Sequence, residues 1–187
     1  MNIAIFPLPI CILPQGYTQL RVFEPRYLRM VSESMKSNKQ FGIVMLNENK
    51  TLLEHGTLVE IVDFDTLENN MLAITVKGLQ NFKLGDIKKD TDELTHSNVK
   101  LSPLWQPTEI KQTDEQELKL KQTLISIFEQ YPQHKAIYHE HYFNDISWVC
   151  QRWLEILPLS SQQKQQCISQ TTHQLTQKML AEIIKVN

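Results

Sequence analysis

The feature that most constrains this chain is a change of hydrophobic period near its middle. Up to about residue 101 the apolar residues alternate or form short runs between turn residues; from Asp114 onward they recur every three to four residues. Alternation is the mark of strands and the longer period that of amphipathic helices. In the first half, residues 2–6 are a short apolar segment, residues 18–23 set Leu20 and Val22 against Gln19 and Arg21, and residues 41–46 read as a buried run. Residues 58–64 alternate, 71–76 and 82–87 follow as two separate strands, and 98–101 close the set. Residues 88–98 read as an exposed loop. Leu13-Pro14-Gln15-Gly16 suits a turn with Pro second and Gly fourth, and Asn69-Asn70 suits a hairpin turn because Asn tolerates positive φ. One helix is inserted. Pro25 opens it, where a missing N–H costs nothing, and Leu28, Val31 and Met35 are its expected buried stripe.

The second half predicts three helices. The first, residues 114–131, carries Leu120, Leu124, Ile127, Phe128 and Tyr131 on one side, and Asp114-x-x-Glu117 has the spacing of a capping box. Asp145 is the expected N-cap of the next, whose stripe is Ile146, Val149, Cys150, Trp153, Leu154 and Leu157. Ser160-x-x-Gln163 starts a third, read as one helix of roughly 25 residues, about 37 Å long, reaching Lys185. Pro103 and Pro107 mark a connection over residues 103–113. The chain is therefore read as α+β: a strand-rich part with one inserted helix over residues 1–105, then a C-terminal α-helical bundle over 106–187.

Charge and composition narrow the function classes. A formal net charge of -2 gives no electrostatic reason to bind nucleic acid. No apolar run approaches the roughly 20 residues that span a bilayer, and the N-terminus lacks the basic start of a secretory signal. A cytoplasmic protein is expected. Cys11, Cys150 and Cys167 are far apart, with no C-x-x-C pair, and read as buried thiols rather than metal ligands. No G-x-x-x-x-G-K-[ST] loop is present to cradle phosphates.

Several clusters invite a chemical reading. His134, His139, Glu140 and His141 are the densest, yet the i, i+2 spacing of His139 and His141 points them apart on a helix, and no H-E-x-x-H pair exists. No metal and no cofactor are expected. Asp63 with Asp65, and Asp90, Asp92 and Glu93, have no argument for a raised pKa. Lys88 and Lys89 are too few for a nucleic-acid stripe. At the strand-to-helix corner, Glu24 is expected to accept from the helix's first N–H groups, Arg26 to tie a neighbouring loop, and Phe23 and Tyr27 to enter the core. No catalytic residue is assigned, and no polypeptide-binding residue can be named.

Phe6-Pro7-Leu8-Pro9, Leu13-Pro14-x-Gly16 and Phe23-Glu24-Pro25-Arg26-Tyr27 together resemble the opening of the Lon protease N-terminal domain family. Phe41-Gly42-Ile43-Val44, Gly56-Thr57-Leu58-Val59-Glu60-Ile61 and Val76-Lys77-Gly78-Leu79-Gln80-Asn81-Phe82 resemble its later segments, with Asn81 where the family usually has Arg. Ile156-Leu157-Pro158-Leu159 with Lys164-Gln165 is similar to its helical part. The resemblance implies a PUA-like β-barrel followed by the helical bundle, and a non-catalytic module that recognises unfolded or partner polypeptides. Lon proteases carry ATPase and protease modules after this region and the chain ends before either, so neither activity is expected. The alternatives are a PUA-like RNA-binding protein, which the acidity disfavours, and a small-ligand-binding protein. A weak homo-oligomer stays open.

Overall fold

The computed structural model describes residues 1–66 and 71–185; the predicted Asn69-Asn70 turn lies outside them. The chain divides into two compact units, Met1–Pro103 and Leu104–Asn187. Among the described residues there are six strands and six helices, a mixed α+β protein.

Unit 1 holds β1 (Asn2–Leu8), β2 (Tyr17–Val22), α1 (Pro25–Met35), β3 (Gln40–Leu46), β4 (Leu52–Thr66), β5 (Leu72–Lys89) and β6 (Thr95–Leu101). The strands form one sheet in the order β2-β5-β4-β3-β1-β6, and β6 pairs again with β5. The pairing therefore runs round a ring, β5-β4-β3-β1-β6-β5, with β2 attached to the outside of β5. β1 and β3 are parallel; the other pairs are antiparallel. One edge of β5 is shared in tandem: residues 72–77 pair with β2 and 82–89 with β6.

Two apolar clusters fill this unit. One joins Leu20, Val22, Phe41, Ile61, Ile74 and Val76 to Tyr27, Met30 and Val31 of α1; the other gathers Ile3, Ile5, Val44, Leu58, Phe82 and Val99. The face that α1 buries is thus Tyr27, Met30, Val31 and Ser34. Leu28 and Met35, expected in the stripe, are 39% and 38% exposed; the helix is turned so that Tyr27 stacks on Phe6, with ring centroids 4.2 Å apart.

The two strands expected at 71–76 and 82–87 are one strand, β5. Gly78, inside that strand, allows a close approach: a Cβ on it would meet the Leu13 carbonyl oxygen at 2.1 Å. The Leu13–Gly16 turn is present, with Gly16 N–H donating to Leu13 O (2.9 Å) and Gln15 at φ 61°. The loop expected at 88–98 is instead the hairpin between β5 and β6, with Leu94 fully buried at its base.

Unit 2 holds α2 (Glu115–Gln130), α3 (Pro132–Ala136), α4 (Ile146–Ile156), α5 (Ser161–Ile168) and α6 (Gln174–Lys185). Asp114 caps α2 by accepting from the N–H groups of Gln116 and Glu117, and Asp145 caps α4 through Ser147 N–H. Ser160 and Gln163 form a full capping box on α5. The box expected at Asp114 and Glu117 is only half made. Glu117 is buried, and its carboxylate accepts instead from Lys111 N–H (2.9 Å) and Gln177 Nε2 (3.0 Å).

The single long helix expected after Ser160 is two helices. Ser169, Thr171 and Thr172 are poor helix formers, and the Gln170 carbonyl between them accepts from the Trp105 indole (2.9 Å) instead of continuing the helix. Of the apolar stripe expected along that helix, Cys167, Ile168 and Leu180 are buried, whereas Thr171 and Leu175 are exposed and Thr176 is buried instead. The segment before α2 is fixed to the unit's interior. Trp105 and Ile110 are buried, Ile146 N–H donates to Thr108 O (2.8 Å), and Ile110 N–H donates to Asn144 O (2.9 Å).

Candidate polypeptide-binding surface

The corner between β2 and α1 departs from expectation in two ways. The Glu24 carbonyl accepts from Tyr27 and Leu28 N–H, but its carboxylate does not cap the helix. It holds Arg26, at 3.0 Å from Nε and 2.8 Å from Nη2. With Pro25 supplying no N–H, a guanidinium two residues away is the better partner. Arg26 in turn lies 4.7 Å over the Tyr27 ring, and its charge also acts on Glu93 in the loop between β5 and β6. Tyr27 enters the core as expected and burial pushes its hydroxyl pKa up. Phe23 does not: it is 66% exposed.

Phe64 is 63% exposed, and the register places it at the same end of the sheet. Leu20 pairs with Ile74 and Ile74 with Phe64; on the neighbouring row Val22 pairs with Leu72 and Leu72 with Thr66. Directly opposed residues share a face, so Phe64 extends the apolar face of Leu20 and Ile74 past the point where that face is covered. Phe23 follows Val22 directly, and Leu72, the partner of Val22, is partly buried. Val62, bulged out of register with β5, is 39% exposed. Single exposed apolar residues are ordinary, whereas a contiguous exposed apolar patch marks an interaction surface. Asp63 and Asp65 flank Phe64, each accepting from the next backbone N–H (2.8 and 2.7 Å).

Five other acids of unit 1 are held in ion pairs. Arg29 of α1 holds Asp92 (2.8 Å), Asp90 (2.6 Å) and Glu33 (3.1 Å), which fastens the β5–β6 hairpin to the helix. Hydrogen bonds from Arg29 hold both aspartates below the usual carboxylate range. Lys89 does the same for Glu93, and Lys83 for Glu54. Asn81, where the family's Arg was expected, is buried beside Thr57.

In unit 2, His134 and His141 are drawn into an aromatic cluster and His139 is exposed. The Phe128 ring lies 5.4 Å from His134 and 6.0 Å from His141, with Tyr138 and Phe143 also against it. Burial pushes His134 and His141 below the ordinary histidine value. Among the described residues no three His, Cys, Asp or Glu side chains gather closely enough to hold a metal ion. An open cavity of about 740 Å³ lies beside this cluster, lined by Glu109, Lys121, His141, Tyr142, Asn144 and Asp145 among others. Cys150 and Cys167 are buried, and burial pushes the Cys150 thiol pKa far up. No helix among the described residues is long and apolar enough to cross a membrane. Sequence reasoning missed Phe23, Phe64 and this cavity. Sequence alternation could not place Phe64, because the bulge at Val62 moves it to the face of Ile61 and Ile74.

Six strands and six helices among the described residues define a mixed α+β protein. The profile of the ATP-dependent protease La (LON) substrate-binding domain matches residues 2–174, and the chain belongs to that family. Its fold is shared with the Lon N-terminal domain protein from Xanthomonas campestris, at a TM-score of 0.75 and 23% identity over 96% of each chain. It is shared also with the N-terminal domain of the Mycobacterium avium complex Lon protease, at 0.65 and 15% identity over 97% of each chain. At these identities the likeness is one of fold.

Proposed function

We propose that this chain recognises unfolded or partner polypeptides in the cytoplasm and does no chemistry on them. The observation that supports this most is the exposure of Phe23 and Phe64 at one end of the sheet in a member of a substrate-binding family. Recognition of this kind needs an apolar patch with a polar rim and no reactive group. The ring of pairings from β5 round to β6 we read as a small PUA-like barrel with α1 inserted, over residues 1–105, and the helices that follow as a bundle over 106–187. The cavity beside His141 supports a second reading, a small-ligand site with a few polar groups in an apolar wall.

The test is binding of reduced, carboxymethylated lactalbumin, a permanently unfolded protein, against native lactalbumin and a single-stranded RNA. The unfolded form should bind, native protein and RNA should not, and Phe23→Ser with Phe64→Ser should weaken binding without lowering the melting temperature. Equal binding of native and unfolded lactalbumin, tighter binding of RNA, or peptide-bond cleavage in a contaminant-free preparation would overturn the proposal.

A further inference from the structure

β2 is the one strand of unit 1, among the described residues, with a single strand partner; every other strand pairs on both sides within the ring. The phase of its hydrogen bonds follows from its start. Gly78 N–H donates to Gly16 O (2.8 Å), so Gly16 and Gly78 are a bonded pair. The ladder to β5 continues without a bulge from Tyr17 to Val22. Bonded and non-bonded pairs alternate in an antiparallel ladder, so Thr18, Leu20 and Val22 direct their backbone groups toward β5. Gln19 and Arg21 direct their N–H and C=O groups away from it. β2 contains no Pro, no bulge and no Lys, and Arg21 is its one charged residue.

The side chains add a charge requirement. Gln19 and Arg21 are exposed while Leu20 and Val22 are buried. Arg21 makes no ion pair among the described residues. On its face the register offers Asp65, two strands away through Ala73, which at the spacing of paired strands is about 10 Å. A carboxylate on a strand added to the free edge would stand directly opposite Arg21, at half that distance.

Deepening the reading of this chain as a polypeptide-recognition module, and resting on it, we propose that the outer edge of β2 takes up an extended polypeptide segment as an added strand, with an acidic residue of that segment facing Arg21. The backbone of Gln19 and Arg21 supplies the hydrogen bonds, which are indifferent to sequence, and Arg21 supplies the selection. Phe23, just past the end of β2, gives an apolar contact to a residue at the segment's end. A second copy of the chain meets the requirement poorly, because β2 contains no acid to place against Arg21.

The test uses a labelled nine-residue peptide of alternating Thr and Val with a central Glu, against the same peptide with a central Lys. Fluorescence anisotropy should show the Glu peptide binding about fivefold tighter, the size of one cross-strand charge pair. Arg21→Glu, its fold checked by circular dichroism, should reverse the order. N-methylating alternate peptide amides should abolish binding in one phase and spare it in the other. At saturation, exchange of the Gln19 and Arg21 amides should slow about tenfold while that of Leu20 stays as it was. Equal effects of both methylation phases, or binding that leaves those two amides unprotected, would overturn the proposal. So would concentration-dependent protection without peptide, which would assign the edge to a second copy. Should unfolded lactalbumin bind while these β2 readouts stay still, the edge proposal falls and the recognition reading stands. Should no polypeptide bind at all, both fall.

Discussion

Thr57→Val removes one buried hydroxyl and keeps the shape of the side chain. Thr57 is 2% exposed, and its Oγ1 lies 2.6 Å from the Ile12 carbonyl and 3.0 Å from Asn81 Oδ1. A hydroxyl has one proton to give. The shorter contact claims it for Ile12, and the Asn81 amide must then turn its NH2 group toward Thr57, an orientation that X-ray or NMR data on the protons would fix. In the Thr57→Val variant the Ile12 carbonyl and the Asn81 amide both lose their partner in the core. At roughly 1–3 kcal/mol for each buried group left unsatisfied, with Asn81 at the low end because it keeps some contact with solvent, the expected loss is about 2–4 kcal/mol. Urea denaturation followed by circular dichroism reads this as a lower midpoint at unchanged slope. Asn81→Leu in the same background removes one of the two orphaned groups, so the double variant should regain about 1 kcal/mol over Thr57→Val alone. A loss under about 0.5 kcal/mol, or strict additivity of the two substitutions, would refute the shared-proton account.

Acidification should weaken unit 2. His134, His141 and His173 are each held below their ordinary 6.5 by burial, so the unfolded chain takes up protons first. Their stabilising contribution is full above about pH 6.5 and lost as pH falls from there through the depressed folded values. Denaturation followed by tryptophan fluorescence at pH 7.5 and 5.5 tests this, since Trp105, Trp148 and Trp153 all lie in unit 2; a stability that is flat or rises on acidification would contradict it. Gly78→Ala should destabilise unit 1 by about 1–3 kcal/mol or more, because the added methyl meets backbone at Leu13 rather than a side chain that can move aside; a melting temperature equal to the parent's would count against that contact.

The period change was enough to read a strand-rich part followed by helices, and the Phe23–Tyr27 motif with its companions was enough to read the family. What sequence could not give was anything decided by a neighbour far along the chain. Residues 77–81 separate two apolar runs, and only the Leu13 carbonyl packed against Gly78 shows that they belong to one strand, bulged beside that glycine. The helix after Ser160 keeps a plausible apolar spacing across Ser169–His173, yet the Trp105 indole, 65 residues away from its Gln170 partner, helps end it. Phe23 and Phe64 are indistinguishable by type from the buried Phe41 and Phe82; exposure is a property of cover, which composition does not record. The free edge of β2 was hidden for the same reason, since strand partners at 72–77 and a ring closed elsewhere have no local mark.

That ring also sets a timetable. Its last pairing joins residues 2–5 to 95–98, so the first strand made on the ribosome waits for the last strand of unit 1. At about 5–20 residues per second the wait is about 5–20 s. Until then β1 lacks one neighbour, and once β5 is made its far half stays a bare edge until β6 follows, the condition in which strands are taken up by other chains. A protein proposed here to bind extended segments thus passes through a stage in which its own β1 is such a segment.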